Sequence, residues 1–281
     1  MGSTIVNEMK ESTVLLEKLL DMFKWFHSFC EQNHLRYFAL GGTMLGAIRH
    51  KGFIPWDDDI DVGMPRKDYE KFISLCEGKL FGNYTVESIN STHEDYFYGY
   101  VKVYDISNTL IEKTRVNIKR GIYIDVFPLD GVCNDVLDVE KVFKPIFYKY
   151  QLLVARTCAI IPRRAWYKNA IVILVRMIPN FIINNKRLLR EIDTMCKMKD
   201  YDECLIVGNI LGNWGIKEVM PKKILGTPTL YPFEDTYIYG AENYNDYLVK
   251  LYGDWKQLPP IEKRVSHHDS VKCDLNKSYL E

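Results

Sequence analysis

The first part of the chain alternates between helix-like and strand-like spacing of its apolar residues. In residues 14–34 the apolar positions recur every three or four residues, which predicts an amphipathic helix. The next apolar run, residues 37–40, is short and ends at a double glycine, so it predicts a strand followed by a tight turn. Thr43 is positioned to cap a short helix over residues 43–50.

Five later segments in the front half have the length and alternation of strands. They are residues 60–64, 85–89, 97–104, 109–113 and 122–127. Pro65 separates the first of them from a predicted helix over residues 66–78. In the last of them, alternation places Asp125 on the face opposite Ile124 and Val126.

The pattern becomes helical between residues 136 and 199. It predicts two to four helices with breaks near Pro162 and Pro179. The residues after 199 are rich in tyrosine and end in DSVKCDLNKSYLE, a polar stretch that predicts a mobile tail. The chain therefore reads as an α/β front half and a mostly helical rear half, with a boundary near residue 135.

Composition excludes several classes of protein. The 281 residues carry 37 Lys and Arg against 37 Asp and Glu, so the net charge gives no global attraction to nucleic acid, and we expect no nucleic-acid partner. The seven cysteines are scattered and form no CxxC pair, which favours reduced thiols in a cytosol over a zinc module or a disulfide framework. The N-terminal residues lack an apolar signal core, so we expect a cytoplasmic protein.

The balanced total charge hides a basic block. Residues 141–190 contain eleven Lys and Arg and no Asp or Glu, which leaves 26 basic and 37 acidic residues in the remainder, a net charge of −11. Basic residues interleaved with apolar ones indicate an anionic surface as partner.

The densest negative charge lies at Asp57, Asp58, Asp59 and Asp61. Taken alone, such a cluster is typical of a solvated loop or a casual Ca²⁺ site. Its setting favours a functional site instead, because a strand ending at Gly41-Gly42 lets backbone N–H groups and the next helix N-terminus approach a phosphate.

Asp59 and Asp61 are two residues apart, so on a strand both carboxylates point to one face. Two carboxylates there can hold Mg²⁺ (or Mn²⁺), which takes its other ligands from water and substrate phosphate. Asp125, on a neighbouring strand, completes the group as a ligand or as the acceptor of a proton.

Three stretches resemble one known family. GGTMLGAIRHKGFIPWDDDIDVGMPRKDYEKF resembles the LicD family signature nearly residue for residue, GIYIDVFPLDG its third-carboxylate strand, and NYNDYLVKLYGDWKQLPPIEKRVSHH its C-terminal block. The resemblance spans roughly residues 15–268, but residues 135–205 carry no motif that aligns. It implies a nucleotidyltransferase-type mixed sheet flanked by helices, with a catalytic core in residues 1–135, a basic helical region in residues 136–205 and a C-terminal segment, residues 206–281, that completes the active site.

The resemblance also implies a reaction. LicD-like proteins transfer phosphocholine from CDP-choline to a sugar hydroxyl of a teichoic acid or lipopolysaccharide precursor, releasing CMP. By position, Asp59 and Asp61 correspond to the family's Mg²⁺ ligands and Asp125 to its third carboxylate, and all three are the expected catalytic and metal-binding residues. Asp57 lies in the signature with a less defined role.

The remaining candidates bind substrate. Gly41, Gly42 and Thr43 are expected at the donor phosphates. Arg49, His50 and Lys51 either neutralise those phosphates or only complement a helix C-terminus. Arg264, with Lys263 and His267, either reaches the nucleotide or belongs to a structural lid. Among many aromatic residues, Trp56 is the candidate for choline, whose quaternary ammonium favours aromatic faces.

The basic middle region has two open interpretations. Its apolar run is too short, and too interrupted by Arg176 and Pro179, to span a membrane. It either lies on the anionic inner face of the cell membrane, which would suit a lipid-linked glycan acceptor, or forms a buried helical cap.

Three rival functions also remain open at this point. They are the same chemistry with another CDP-activated alditol (ribitol or glycerol), a catalytically inactive binding protein, and a nucleotidyltransferase acting on an NTP.

Overall fold

A mixed sheet with helices on both sides forms the centre of the structure. The computed structural model describes residues 2–160, 165–264 and 270–281. The helices in these ranges are α1 (Gly2–Asn33), α2 (Gly41–Arg49), α3 (Arg66–Cys76), α4 (Val139–Thr157), α5 (Trp166–Met177), α6 (Asn185–Cys196), α7 (Lys222–Leu225) and α8 (Tyr244–Tyr252). The strands are β1 (Phe38–Ala39), β2 (Asp61–Pro65), β3 (Leu80–Phe81), β4 (Tyr84–Glu87), β5 (Val101–Asp105), β6 (Thr109–Glu112), β7 (Ile118–Arg120), β8 (Tyr123–Cys133), β9 (Ile206–Gly208), β10 (Val219–Pro221), β11 (Thr229–Phe233), β12 (Thr236–Gly240) and β13 (Ser270–Asp274).

The sheet order places β8 at its centre. The strands run β1-β2-β8-β5-β4-β3, and β9 and β10 continue the sheet from the second half of β8. Of these pairings, β2–β8 is parallel and the others are antiparallel. This mixed α/β architecture confirms the predicted fold class.

The main core lies between the sheet and α1. The helical spacing predicted for residues 14–34 buries Phe23 and Phe26, which pack edge-on against Tyr37 and Phe72 with ring centroids 5.2–6.3 Å apart. Each fully buried aromatic ring contributes about 1.5–3 kcal/mol through removal of apolar surface from water. The packing therefore fixes the helix against the strands that carry the acidic residues.

A second core forms where α4 and α6 cover the far half of β8. One buried ion pair ties this region to the first: Arg66 on α3 donates two hydrogen bonds, of 2.7 and 2.8 Å, to the carboxylate of Asp130 on β8. The same guanidinium donates to Asp193 on α6 at 2.9 Å. Three elements from the two cores thus meet at a single side chain.

Several predicted elements are confirmed, and others are wrong. The front-half strands and α3 are present, three α-helices lie within the predicted helical region, and α5 ends before Pro179. Pro162 lies outside the described residues. Helix α2 begins at Gly41 with Leu40 as its N-cap, so Thr43 lies inside the helix and does not cap it.

The rear half was predicted wrongly as mostly helical. The described residues between 206 and 274 form five strands. Strands β9 and β10, with three residues each, are too short for alternation to show, and the helical prediction overlooked the longer β11, β12 and β13. The predicted mobile tail is also wrong. Strand β13 pairs with β6, the backbone N–H of Tyr279 donates to the carbonyl of Asn108, and Ser278 donates to the carbonyl of Ile106.

The seven cysteines form no disulfide within the described residues. The three-segment division stays a prediction.

We expect Arg66→Ala to destabilise the protein by about 3–5 kcal/mol, because it leaves the carboxylate of Asp130 buried without its cation. Urea unfolding would measure the loss. Lys144→Ala is the control, since Lys144 forms an exposed ion pair with Glu140 and its removal should change little. Equal stability of Arg66→Ala and the wild type would show that the pair does not hold the two cores together.

Candidate active site

The parallel pairing of β2 with β8 brings two of the predicted carboxylates side by side. Asp61 and Asp125 are register partners, and neighbouring strands lie about 4.8 Å apart. On the other side of β8, Lys102 of β5 is the register partner of Asp125. The three residues form a row across three strands, called here the Asp61–Asp125–Lys102 row.

Asp59 joins this row from a loop. Strand β2 begins at Asp61, so the expectation that Asp59 and Asp61 share one strand face is wrong. Burial raises the pKa of Asp61 well above its usual range, and the charges of Asp59, Asp125 and Asp57 raise it further. The carboxylates therefore lie close enough to repel one another.

This donor set suits a hard divalent cation, which binds carboxylate oxygens and would offset their repulsion. Within the described residues, no three Asp, Glu, His or Cys side chains already converge on one point at ligand spacing. The chemistry of the residues fits Mg²⁺, and their closure around an ion stays a prediction.

Lys102 is a site residue that sequence reasoning missed. Its side chain is 1% exposed, and its Nζ lies 3.0 Å from Oδ1 of Asp125 and 3.5 Å from Oε1 of Glu112. The ammonium also lies 3.0 Å from the ring centroid of Tyr123 and 4.5 Å from that of Tyr98. The available signal was a lysine between two valines in a strand that alternation marks as buried.

The two glycines are the first residues of α2, not the predicted tight turn, and they lie against the acidic segment, residues 57–61. Gly41 has a φ of +47°, and its N–H donates to the hydroxyl of Tyr247 at 2.9 Å. A Cβ on Gly42 would lie 2.6 Å from Oδ2 of Asp57, so a larger residue there would displace the carboxylate. Thr43 is buried, and its hydroxyl accepts a 2.8 Å hydrogen bond from the N–H of Asp61, which positions β2.

Four of the predicted substrate-binding residues meet beside this segment. Arg49 donates to Nε2 of His50 and to the carbonyl of Trp255, both at 2.9 Å. His50 packs edge-on against Trp56 at 6.2 Å between centroids, and the guanidinium of Arg264 lies 5.4 Å from the Trp56 ring centroid. Burial lowers the pKa of Arg49, and Arg264 lowers it further, so two cations lie close together.

Lys51 makes a different contact from these four. Lys51 is exposed in a left-handed turn after α2, and its carbonyl accepts a hydrogen bond from the N–H of Glu234. Lys263 ends a short 3-10 helix. His267 lies outside the described residues. Gly253 caps α8 with a φ of 71°.

Glu218 is a second residue that sequence reasoning missed. It is buried, its carboxylate accepts 2.9 Å hydrogen bonds from Nδ2 of Asn209 and the N–H of Trp214, and burial raises its pKa to about 7. Its charge contributes to the raised pKa of Asp61. The sequence around it, GIKEVMP, contains no motif that marks the residue.

Comparisons with known proteins identify similar chains. Residues 34–143 match the family described as LicD/FKTN/FKRP, nucleotidyltransferase domain. The chain is 30% identical to the lipopolysaccharide cholinephosphotransferase LicD of Haemophilus influenzae over 266 residues, which cover 92% of this chain and 97% of that protein. It is also 36% identical to the human ribitol 5-phosphate transferase FKRP over 62 residues, which cover 22% of this chain and 12% of that protein.

We expect Glu218→Gln to flatten the pH dependence of stability. Because burial raises the pKa of Glu218 from 4.5 to about 7, the native state binds more protons than the unfolded state between these values, and stability falls as the pH rises through that window. The wild type should lose about 2–3 kcal/mol more than the variant between pH 5 and pH 8.

Urea unfolding at several pH values measures this difference. The variant keeps the shape of the side chain, and its amide can donate to Oδ1 of Asn209, which has no hydrogen-bond partner among the described residues. The exposed Glu17→Gln should retain the wild-type slope. Parallel curves for the wild type and Glu218→Gln would mean that Glu218 does not titrate in this range.

Proposed function

The chain belongs to the LicD/FKTN/FKRP family, and we propose that it transfers phosphocholine from CDP-choline to a sugar hydroxyl of a lipopolysaccharide-type or teichoic-acid-type glycan precursor. Its relationship to a cholinephosphotransferase over nearly the full length of both proteins carries this proposal. The chain is a transferase of phosphate-containing groups. In the reaction, the acceptor oxygen forms a bond to the phosphorus of phosphocholine, the bond from that phosphorus to the CMP oxygen breaks, and CMP leaves with the electron pair.

The Asp61–Asp125–Lys102 row suits this chemistry. Phosphoryl transfer depends on positioning and charge neutralisation more than on covalent assistance. Mg²⁺ held by Asp59 and Asp61 would neutralise the donor diphosphate. Asp125, whose carboxylate is fixed by the ion pair to Lys102 at 3.0 Å, orients the acceptor hydroxyl and accepts its proton.

The cations beside the acidic segment complete the donor site. Arg49 and Arg264 are positioned to neutralise the phosphate of CMP as it leaves. Trp56 offers a ring face to the quaternary ammonium of choline, a type of contact that its neighbour Arg264 already makes from 5.4 Å. The site thus combines an anion-binding and a cation-binding part within a few residues of Asp59.

A second candidate donor is a CDP-activated alditol. The match to a ribitol 5-phosphate transferase favours it, but that match covers only 62 residues. The row and the arginines suit either donor, because both donors carry the same CDP diphosphate. The choline and alditol groups differ only in the part that Trp56 would contact.

We further propose that α5 lies on an anionic membrane surface, on the cytoplasmic side. No helix in the described part of the chain has the length and apolar character needed to cross a bilayer. Only Val172 of α5 is buried, so the alternative of a buried cap is wrong for this helix. Large apolar side chains are exposed along it and the following loop: Trp166, Tyr167, Ile171, Ile173, Leu174, Met177, Phe181 and Ile182. With the basic block around them, they form an amphipathic surface suited to anionic lipid.

We expect Asp59→Asn and Asp61→Asn each to lower turnover of CDP-choline at least about a thousandfold while the protein stays folded, because each removes a charge that would hold Mg²⁺. CMP release measures turnover, and circular dichroism checks the fold. Asp235→Asn, which removes an exposed carboxylate paired with Lys24, should retain activity. Near-wild-type turnover in either site variant would exclude the proposed metal site.

Thermal melting with Mg²⁺ distinguishes the donors. At a concentration about a hundred times its dissociation constant, CDP-choline should raise the melting midpoint by several degrees. Binding at that concentration raises the free energy of unfolding by about 2.7 kcal/mol. A larger shift with CDP-ribitol or CDP-glycerol would keep the mechanism and replace choline. Stabilisation by ATP alone would instead favour a nucleotidyltransferase.

We expect Leu174→Glu combined with Phe181→Glu to abolish binding to anionic vesicles, because both apolar side chains are exposed, by 64% and 88%. Flotation with phosphatidylglycerol vesicles measures binding. Leu137→Glu is the matched control, since Leu137 is 80% exposed but lies before α4. Absence of flotation for the wild type would contradict the membrane proposal.

A further inference from the structure

A cavity of about 940 Å³ lies on the β5 side of the active site. Its walls come from the β6–β7 hairpin loop (residues 113–117), the second half of α4 and residues near the start of α6. Tyr98 lines it, and the same Tyr98 lies 4.5 Å from Nζ of Lys102 and donates a 2.9 Å hydrogen bond to Glu112. The cavity therefore begins next to the lysine that holds Asp125.

The sheet order separates this cavity from the donor residues. Gly41 follows β1 and Asp61 begins β2, on one side of β8, whereas Lys102 lies on β5, on its other side, with Tyr98 beside it. Asp125, on β8, is the register partner of both Asp61 and Lys102. In a transfer between two substrates, the group that activates the acceptor must lie between them, and Asp125 has that position.

The cavity is lined by three cations: Lys113, Arg115 and Arg156. Among the described residues, no carboxylate forms an ion pair with any of them. The cavity also contains the carboxylate of Asp95, but that group is bound to Arg120 at 2.8 Å. The positive charge of the cavity is therefore not balanced by the described side chains.

Arg156 is the most unusual of the three. It is 1% exposed, and it donates to Asn185, to Asn180 and to the carbonyls of Val175 and Ile178 at 2.6–3.0 Å. All these partners are neutral, so the charge itself is buried without a counter-ion among the described residues. A buried charge of this kind is costly unless an opposite charge binds nearby.

The loop carrying the other two cations is fixed to the same helix. The N–H of Arg115 donates to the carbonyl of Thr157 at 2.8 Å, and Thr114 forms a β-bridge with Cys158. Burial and the nearby charge of Arg115 lower the pKa of Arg156. Two arginines are therefore held close together at the wall of one cavity.

We propose that this cavity binds the acceptor glycan, with a phosphate group of that glycan held by Lys113 and Arg115, the buried charge of Arg156 attracting it from behind the wall, and its sugar rings against Tyr98 and Tyr150. This inference rests on the proposed function, because it names the acceptor class of the same reaction. Charge-assisted hydrogen bonds from guanidinium groups suit phosphate, and tyrosine rings offer apolar faces to sugars. An uncharged glycan would leave the charge of the three cations unbalanced.

Glucose 1-phosphate, titrated calorimetrically in EDTA, is the probe. Without a divalent ion, the carboxylates around Asp61 repel an anion, and substitution of Lys113 and Arg115 then distinguishes binding in the cavity from binding at Arg49 and Arg264. We expect the wild type to bind, and Lys113→Gln with Arg115→Gln to weaken binding about tenfold or more, as expected for the loss of charge-assisted contacts. Lys113→Arg with Arg115→Lys should restore most of the affinity.

The control removes the same charge from the basic block, residues 141–190, at positions that do not line the cavity. Lys141→Gln with Lys144→Gln changes two exposed lysines that pair with Asp138 and Glu140, and it should leave the affinity unchanged. Equal loss in this control, or no binding by the wild type, would overturn the proposal. A further outcome is that the wild type binds phosphatidic acid vesicles but not glucose 1-phosphate, with the vesicle binding lost in the Lys113 and Arg115 double variant. That result would assign the cations to a lipid headgroup and overturn the glycan assignment.

Titration of CDP-choline with Mg²⁺ into the same proteins distinguishes a failure of the proposed donor from a failure of the proposed acceptor cavity. Failure of CDP-choline to bind while glucose 1-phosphate binds would contradict the choline donor and support the cavity. Binding of CDP-choline by the wild type and by the Lys113 and Arg115 double variant, without any binding of glucose 1-phosphate, would overturn the cavity alone.

Discussion

The register of three strands places two carboxylates and one lysine in direct succession, as the Asp61–Asp125–Lys102 row. Two negative charges this close are costly, and much of the surrounding structure holds them there. Thr43 fixes the backbone at Asp61, and the ring of Tyr123 lies against the lysine. Further along β8, the ion pair of Asp130 with Arg66 prevents the strand from shifting in register. Stability and chemistry therefore depend on the same strand.

The sequence revealed those parts of the site that depend on local spacing. Alternation alone placed Asp125 on the face opposite Ile124 and Val126. Residues whose role depends on pairing with a distant segment could not be recognised from the sequence. Nothing local indicates that Lys102 meets Asp125, and strands β9 and β10 have too few residues for a period to show. Spacing and family resemblance both identified Asp59 and Asp61, but the position of Asp59 outside β2 needed the fold.

The helical region connects the membrane proposal to the acceptor proposal. Arg156 on α4 binds the carbonyls at the end of α5 and the asparagines before and at the start of α6, so one guanidinium holds three helices in place. The exposed apolar side chains of α5 lie on the same group of helices as the cationic cavity wall. A glycan attached to a lipid could thus reach Asp125 while its lipid stays in the bilayer.

The pairing of β13 with β6 has a consequence for the time course of folding. The hydroxyl of Thr109 bonds to the carbonyl of Lys277 across 168 positions of sequence, whereas β6 and β7 are neighbours in sequence and can pair early. Contacts between distant segments form slowly, because the loop between them must close first. Strand β13 therefore joins β6 late, after β6 and β7 have paired. A newly made molecule would pass through a stage in which β6 has one partner strand instead of two.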